Sequence, residues 1–510
     1  MKSSERSVSV WESTNPQRER PPLSGDATAD VAVIGAGIAG MSVAWYLAKA
    51  GQRVIVLDDN GVGGGETGQT TAHLTAAMDD YYQVLEKVHG KEGARIAHES
   101  HQGAIDAIER IVAEEGIECD FARVDGYWFL APDRDVSFLE KEHDAAMRAG
   151  AVGVEIVPRI PVDGWESGPA LRFANQGQFH ALRYLEGLAR GIEARGGAIY
   201  CGNHVVGIDE DAGPKVKGEG FSVSAGAVVV ATNSPISDRF QFHTKQAPYR
   251  TFVVAGKIPA GAVPPILFWD TLDPYHYIRT QPVDGDPSRV WLIVGGEDHK
   301  TGHHDDAAER YARLEAWARE RFPVESFELR WSGQVMEPVD YMGFIGRDPG
   351  WENVYVATGD SGQGMTHGTI AGILISDLIL GRANEWEKLY DPSRKTLSFD
   401  TAKHFLEENL DVAVQYKDLL PTGGEVAGAA EIAPGTGAIL QRGTSKIAAY
   451  RDEGGVLHQC SAYCTHLGCV VKWNGEEKSW DCPCHGSRFS PTGSEVLNGP
   501  ALAGLTPVEE

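Results

Sequence analysis

The chain has 510 residues, 42% hydrophobic and 23% charged, enough for two to four domains with sizeable cores. Its 72 acidic and 46 basic side chains give a net charge of −26, which argues against nucleic acid and anionic membrane surfaces as partners. No apolar stretch reaches membrane-spanning length, and the polar, proline-containing start lacks a signal-peptide core, so the cytoplasm is the expected location. Five of the seven cysteines fall at Cys460 or later, leaving Cys119 and Cys201, which is not a secreted disulfide framework.

The predicted elements begin with a short buried strand over 30–35. Gly35-Ala-Gly37-Ile-Ala-Gly40 then opens a helix to about Ala50, and 52–57 reads as a second strand ending at Asp58. Glycines between strand and helix, with a carboxylate about 20 residues on, form the βαβ pattern that holds a dinucleotide. Backbone N–H groups and the helix dipole take the pyrophosphate, and the carboxylate takes a ribose. The fingerprint occurs once, so no second nucleotide site is available to bring NAD(P)H. Segments 80–175 and 240–330 mix strand and helix patterns and read as an interleaved substrate domain. Within the second, alternation in Asp-Pro-Tyr275-His276-Tyr277-Ile-Arg279 points Tyr275, Tyr277 and Arg279 to one face, either a pocket wall or an aromatic strand of the core.

Segments 227–233 and 354–359 read as further strands of the cofactor domain. The second leads through Asp-Ser-Gly-Gln-Gly364-Met-Thr-His-Gly368 into a helix to about Leu380. Gly364 and Gly368 bracket a polar helix start suited to an anion; close helix packing is the competing use of both. A polar connector with helical segments runs from about Trp386 to Thr422. Glycine-rich sequence over 423–437 then leads into short alternating strands, an all-β module.

That module carries Cys464-Thr-His466-Leu-Gly-Cys469 and Cys482-Pro-Cys484-His485-Gly-Ser487. Two thiolates on one iron and two imidazoles on the other are the ligands of a Rieske [2Fe–2S] centre, which makes Cys464, His466, Cys482 and His485 the metal ligands. A zinc site uses the same ligand types but has no need of the second cysteine in each half or of the Gly-Ser that follows.

DVAVIGAGIAGMSVAWYLA, GGGETGQTTAHLT, QGQFHALRYLEGLA, WSGQVMEPVDYMGFIGR and VYVATGDSGQGMTHGTIAG resemble the D-amino-acid oxidase family of FAD-dependent amine oxidoreductases over about the first 390 residues. The C-terminal module resembles Rieske proteins. The fold this implies is an α/β FAD-binding Rossmann-like domain with an interleaved α+β substrate domain, followed by an all-β Rieske domain. The expected divisions are an N-terminal arm (1–27), an FAD-binding domain (28–80, 175–240 and 331–385), a substrate domain (81–174 and 241–330), a connector (386–424) and the Rieske domain (425–510).

The resemblance implies FAD contacts along the whole chain. Gly35, Gly37, Ala39 and Gly40 would face the pyrophosphate, Asp58 the ribose and Val205 the adenine. The loop from Gly65 through Thr67 and Thr71 to His73 would wrap the flavin side. Gly333, Gly359, Gly362, Gly364, Met365 and Thr366 would complete the flavin site, with the helix N-terminus beside the pyrimidine edge, where the reduced ring is anionic. His73 is expected to orient substrate or touch the flavin, an ordinary core histidine being the competing reading, and Tyr275, Tyr277 and Arg279 line the substrate side.

Glycine-oxidase-like relatives carry carboxylate-binding arginines at places held here by Val335 and Gly362, so the usual amino-acid clamp is missing. That favours an amine, polyamine or N-alkyl amine, with Arg250 or Arg279 as the remaining candidates for a clamp. In the Rieske half the resemblance implies a Cys469–Cys484 disulfide tying the cluster loops, and a Ser487 hydroxyl donating to a cluster sulfur. Phe489 stands where high-potential members have a tyrosine, so a lowered potential is expected. The His466 and His485 edges would lie near the surface as electron exits, and Gly499-Pro500-Ala501 would shield the cluster.

The expected activity is an FAD-dependent dehydrogenase. It oxidises an amine, N-alkyl amine or amino acid and passes electrons through the Rieske cluster to an external one-electron acceptor. The rivals are a flavin/iron–sulfur electron-transfer or redox-sensing protein with little turnover, and a Rieske oxygenase, for which the sequence offers no two-histidine, one-carboxylate set.

Overall fold

The computed structural model describes residues 7–15, 18–209, 213–237, 242–396, 399–420 and 423–508. The expected N-terminal arm, the boundary near 240 and the end of the Rieske domain fall partly outside these residues, at 1–6, 16–17, 238–241 and 509–510.

Apolar runs buried on both faces make a mostly parallel sheet of eight strands. Its centre is Gly25–Ile34, with Phe221–Val230 on one side and Val54–Asp58 on the other, all parallel. Val354–Thr358 and Ala198–Cys201 extend it in parallel, and Phe344–Arg347 closes one edge antiparallel. Helix Ile38–Lys49 follows the first strand and packs on helix Gly364–Ile379. Val31, Val33, Met41, Trp45 and Val56 fill the space beneath, each at most 1% exposed.

A second sheet of nine strands faces the first across a cavity. Leu329–Pro338, Gln246–Pro259, Arg289–Lys300 and Tyr277–Pro282 lie side by side, all antiparallel. Leu267–Asp270, Ala122–Phe129, Ala170–Gln178 and the short His73–Leu74 continue it. Strand Leu329–Pro338 thus spans the division expected at 331 and belongs by its pairing to the second sheet. A long helical segment, Tyr82–Glu115, bends at Gly90, which has φ 71° and ψ 174°.

The last part is antiparallel: three strands over Thr436–Ser461 and four short ones over Lys472–Asn498. Between the halves lie helices Glu387–Tyr390 and Phe399–Gln415. Among the described residues, no helix is long and apolar enough to cross a membrane.

The β module is bolted to the second sheet and to the short helix Glu66–Gln69 by polar contacts. Ser332 Oγ donates to Glu477 Oε1 at 2.7 Å, and Arg250 lies 3.5 Å from Glu477 Oε2. Gln334 Nε2 donates to the Gly486 carbonyl at 3.3 Å, and Asn498 Nδ2 to Glu66 Oε1 at 2.7 Å. Arg250 and Glu477 are 1% and 5% exposed, so removing either would strand a buried charge, at a cost of about 3–5 kcal/mol.

Candidate active site

A cavity of about 710 Å³ runs along the face between the two sheets. One end is walled by Gly35, Gly37, Ala39, Asp58 and Val205. Gly35 turns at φ 105°, and a β-carbon there would sit 2.4 Å from the Ala231 carbonyl oxygen, so only glycine fits. Asp58 accepts from Ala36 N at 2.7 Å and Asn60 N at 2.8 Å, which seats the turn on the second strand. Thr67 Oγ1 accepts from Ile38 N at 3.0 Å, linking the loop to the first turn of the dinucleotide helix.

Gly65, Thr71, His73, Gly333, Gly359, Gly362, Gly364 and Met365 line the middle. Three expected residues do not. A β-carbon on Gly40 would lie 1.9 Å from Gly35 O, so this glycine seats helix on turn instead of facing a phosphate. Thr366 is buried away from the cavity, 2.8 Å from His101 Nδ1 and donating to Gln363 O. Gly368 lines the cavity but also gives helix packing its space, since a β-carbon there would come within 2.5 Å of Ile38. Arg279 is the third: it lies fully buried beneath the loop, donating to the carbonyls of Thr71, Ala72 and Phe179. Alternation put it on one face with Tyr275 and Tyr277, but those carbonyls take Nη1, the Thr280 carbonyl takes Nε and the Gln281 side-chain oxygen takes Nη2. Burial pulls its pKa down to about 9. Arg250 is equally removed, held against Glu477, so neither arginine supplies a carboxylate clamp.

His73 lines the cavity with both ring nitrogens engaged, Nδ1 with Thr71 Oγ1 at 3.0 Å and Nε2 with the Ile278 carbonyl at 3.3 Å. The carbonyl requires Nε2–H, so Nδ1 accepts from Thr71. Burial, reinforced by Arg279, lowers its pKa to about 3. A neutral imidazole with both nitrogens occupied positions the loop; it is no free acid or base.

Tyr275 and Tyr277 line the far end with Trp128 and Trp269. Tyr277 extends its ring across Gly295 and its hydroxyl meets Thr251 Oγ1 at 2.5 Å. Trp128 and Trp269 stand edge to face at 5.2 Å. Carboxylates missed by sequence reading join them: Asp79, Asp80, Asp298 and Glu337. Gly362, where the resemblance implied an arginine in glycine-oxidase-like proteins, explains part of this, since a β-carbon there would lie 2.1 Å from Asp79 Oδ2. An Asp79-Asp80 pair in sequence looks like an ordinary solvated face; only the fold turns it inward. The N-terminal arm reads in sequence as a polar, proline-containing stretch with no part in the site. Instead Trp11 is buried, donates to the Thr70 carbonyl and lies under the Arg279 guanidinium at 5.3 Å, bracing the same loop.

In the β module, Cys464 and Cys482 are buried with their side chains hydrogen-bonded to each other. Cys469 and Cys484 form a disulfide with Cα atoms 6.4 Å apart. The sulfurs of Cys469, Cys482 and Cys484 lie within 4.8 Å of one another, and with two of them bonded Cys482 is the thiol free to bind metal. The His466 and His485 rings stand 5.1 Å apart, and buried His485 Nδ1 has no hydrogen-bond partner. Two thiols, two imidazoles and an orphaned ring nitrogen fit an iron–sulfur cluster.

The edge of His485 is largely covered, at 7% exposure, while His466 is partly exposed, and His243 from the flavoprotein half packs 4.7 Å from the His466 ring and 5.7 Å from the His485 ring. Ser487 Oγ accepts from Ala501 N at 3.1 Å and its side chain hydrogen-bonds Cys464. Phe489 is fully buried. Phe489→Tyr is expected to raise the midpoint potential by adding a donor near the ligand sulfurs. An unchanged midpoint in protein-film voltammetry would remove Phe489 from the tuning set.

Residues 30–378 match the FAD dependent oxidoreductase family, and residues 424–509 the Rieske [2Fe-2S] domain. The chain belongs to the FAD dependent oxidoreductase family. Along its whole length it resembles YhfW of Bacillus subtilis (strain 168), named for a Rieske 2Fe-2S centre: identity is 33%, covering 98% of this chain and 97% of that protein. Gamma-glutamylputrescine oxidoreductase of Escherichia coli (strain K12) is 25% identical, covering 72% of this chain and 87% of its own. Glycine oxidase from Geobacillus kaustophilus shares the fold of the first part with TM-score 0.61 and 18% identity, covering 72% of this chain and 99% of that one.

The family and the site agree on two cofactors, FAD and a Rieske [2Fe–2S] cluster. FAD fits the long cavity, which Gly35, Gly37 and Ala39 of the dinucleotide turn line at one end and Gly364 and Met365, at the start of helix Gly364–Ile379, line in the middle. This family member is therefore an FAD-dependent oxidoreductase carrying an iron–sulfur module.

Proposed function

We propose that the chain is a dehydrogenase for an amine, N-alkyl amine or amino acid, with electrons leaving through the Rieske cluster to an external one-electron acceptor. The substrate carbon gives up a hydride and its nitrogen a proton; the resulting imine takes up water and falls apart to a carbonyl compound and an amine. Bound FAD supplies the two-electron acceptor and the cluster the one-electron outlet. The chain's residues do the rest: Tyr275, Tyr277, Trp128 and Trp269 wall the substrate space, and His73 and Arg279 fix the loop between substrate and cofactor.

The observation that carries this reading is a shared wall. Asn498, Gly499 and Ala501 of the β module line the same cavity as Gly35 and Tyr277. Gln334, flanked in its strand by the cavity residues Gly333 and Val335, donates to the cluster loop at Gly486. A redox module held this closely has a use in passing on electrons, and a substrate-sized space speaks against a sensor with little turnover. With Arg250 and Arg279 engaged elsewhere, and with Arg134 outnumbered in the cavity lining by the carboxyls of Asp79, Asp80, Asp298 and Glu337, amines are favoured over amino acids. Anaerobic addition of a substrate amine is expected to bleach both flavin and cluster. Bleaching of the flavin alone would end the relay reading.

A further inference from the structure

The far end of the cavity has an unbalanced charge. Asp79, Asp80, Asp298 and Glu337 line it, and Arg134 is the only lysine or arginine among the described lining residues. Ser361 Oγ stands 2.7 Å from Asp80 Oδ2 and 2.9 Å from Glu337 Oε2. One hydroxyl proton cannot serve two carboxylates, so the pair needs a proton or a cation to be satisfied. Tyr275 donates its hydroxyl to Asp79 Oδ2 at 3.0 Å, and Asp298 Oδ1 has no hydrogen-bond partner at all. Trp128, 2% exposed, also leaves Nε1 unpaired.

Burial holds all four carboxyls above their usual range, Asp80 to about 6 and Asp298 to about 7. Asp80 and Asp79 push Glu337 further up. Such groups gain most from a ligand that brings positive charge into the cavity. No three of the carboxylates bring oxygens within 4.8 Å of one another, as a cage for one metal ion would need. The aromatic walls suit an organic cation, whose ammonium and methylene groups both find partners there.

We infer that the substrate is a di- or polyamine: one nitrogen lies beside the carbon to be oxidised, and a second is held as an ammonium group among Asp79, Asp80 and Glu337. This rests on the amine-oxidation reading and narrows it. Glu337 and Asp79 are then specificity residues, and Gly362 is the opening that lets Asp79 reach the cavity.

The test uses the FAD-loaded full chain under anaerobic conditions, with 1,4-diaminobutane, spermidine, butylamine and glycine as probes. Binding is followed by tryptophan fluorescence and reduction by flavin absorbance. The diamine or spermidine is expected to bind at least tenfold tighter than butylamine, a difference of about 1.4 kcal/mol. In Glu337→Gln the ratio should fall toward one. Asp79→Asn serves as the second variant should the first lose FAD. Equal binding of diamine and butylamine, or a ratio unchanged in both variants, overturns the inference. Selective diamine binding without flavin bleaching leaves the ammonium site among Asp79, Asp80 and Glu337 standing and removes the oxidation reading, and with it the diamine's role as substrate. Bleaching by butylamine or glycine with no diamine preference does the reverse.

Discussion

Gly35→Ala is expected to strip the protein of FAD. The added β-carbon would meet the Ala231 carbonyl oxygen at 2.4 Å and its carbon at 2.9 Å, with the backbone held at φ 105°. Left-handed strain and overpacking together cost about 2–6 kcal/mol, a large part of a domain's stability. The turn can relieve the clash only by moving away from the strand Phe221–Val230, which carries its backbone N–H groups out of register with a pyrophosphate. The flavin-to-protein ratio after purification reads this directly, and wild-type flavin content in the variant would show that the turn does not hold the cofactor. Gly51→Ala is the control, because a β-carbon there meets nothing within 4 Å despite φ 85°.

Cys482→Ala should remove the cluster outright. Cys482 pairs with Cys464 beside the His466 and His485 rings, which would supply the remaining ligands of the cluster. Loss of one thiolate leaves one iron under-ligated, so iron should fall from about two per chain to near zero. Flavin reduction by substrate should survive, while turnover with a one-electron dye should drop at least a hundredfold. Cys119→Ala, a buried cysteine in the other half, should change neither iron nor turnover. Retained dye turnover without iron would mean that electrons bypass the module.

The parts legible in the sequence were those encoded by short spacing. Gly35, Gly37 and Asp58 lie within one βαβ unit, and their geometry is fixed by strand, turn and helix alone. The cluster ligands lie within 22 residues of chain and converge through two neighbouring loops. What escaped was set by long-range packing. Asp79, Asp298 and Glu337 come from three separate segments and carry no local signal, because each looks like a solvated charge until the sheets close over it. Arg279 shows the limit of periodicity: alternation gave its side of the strand, but its partners are carbonyls of a loop some 200 residues earlier. His243 was invisible for the same reason, since only the docking of the two halves brings it against the ligand histidines.

The buried Arg250–Glu477 contact bears on how such a chain can be taken apart. Many fused redox proteins are treated as beads that can be cut and exchanged at the linker. Here a cut near residue 385 would leave Arg250 without its carboxylate, uncover Ser332 and Gln334, and remove Asn498 and Ala501 from the cofactor's own wall. The oxidoreductase half is thus an unfinished surface that its passenger completes. A graft of this half onto another electron carrier must bring an acidic residue to Arg250 before it brings any new chemistry.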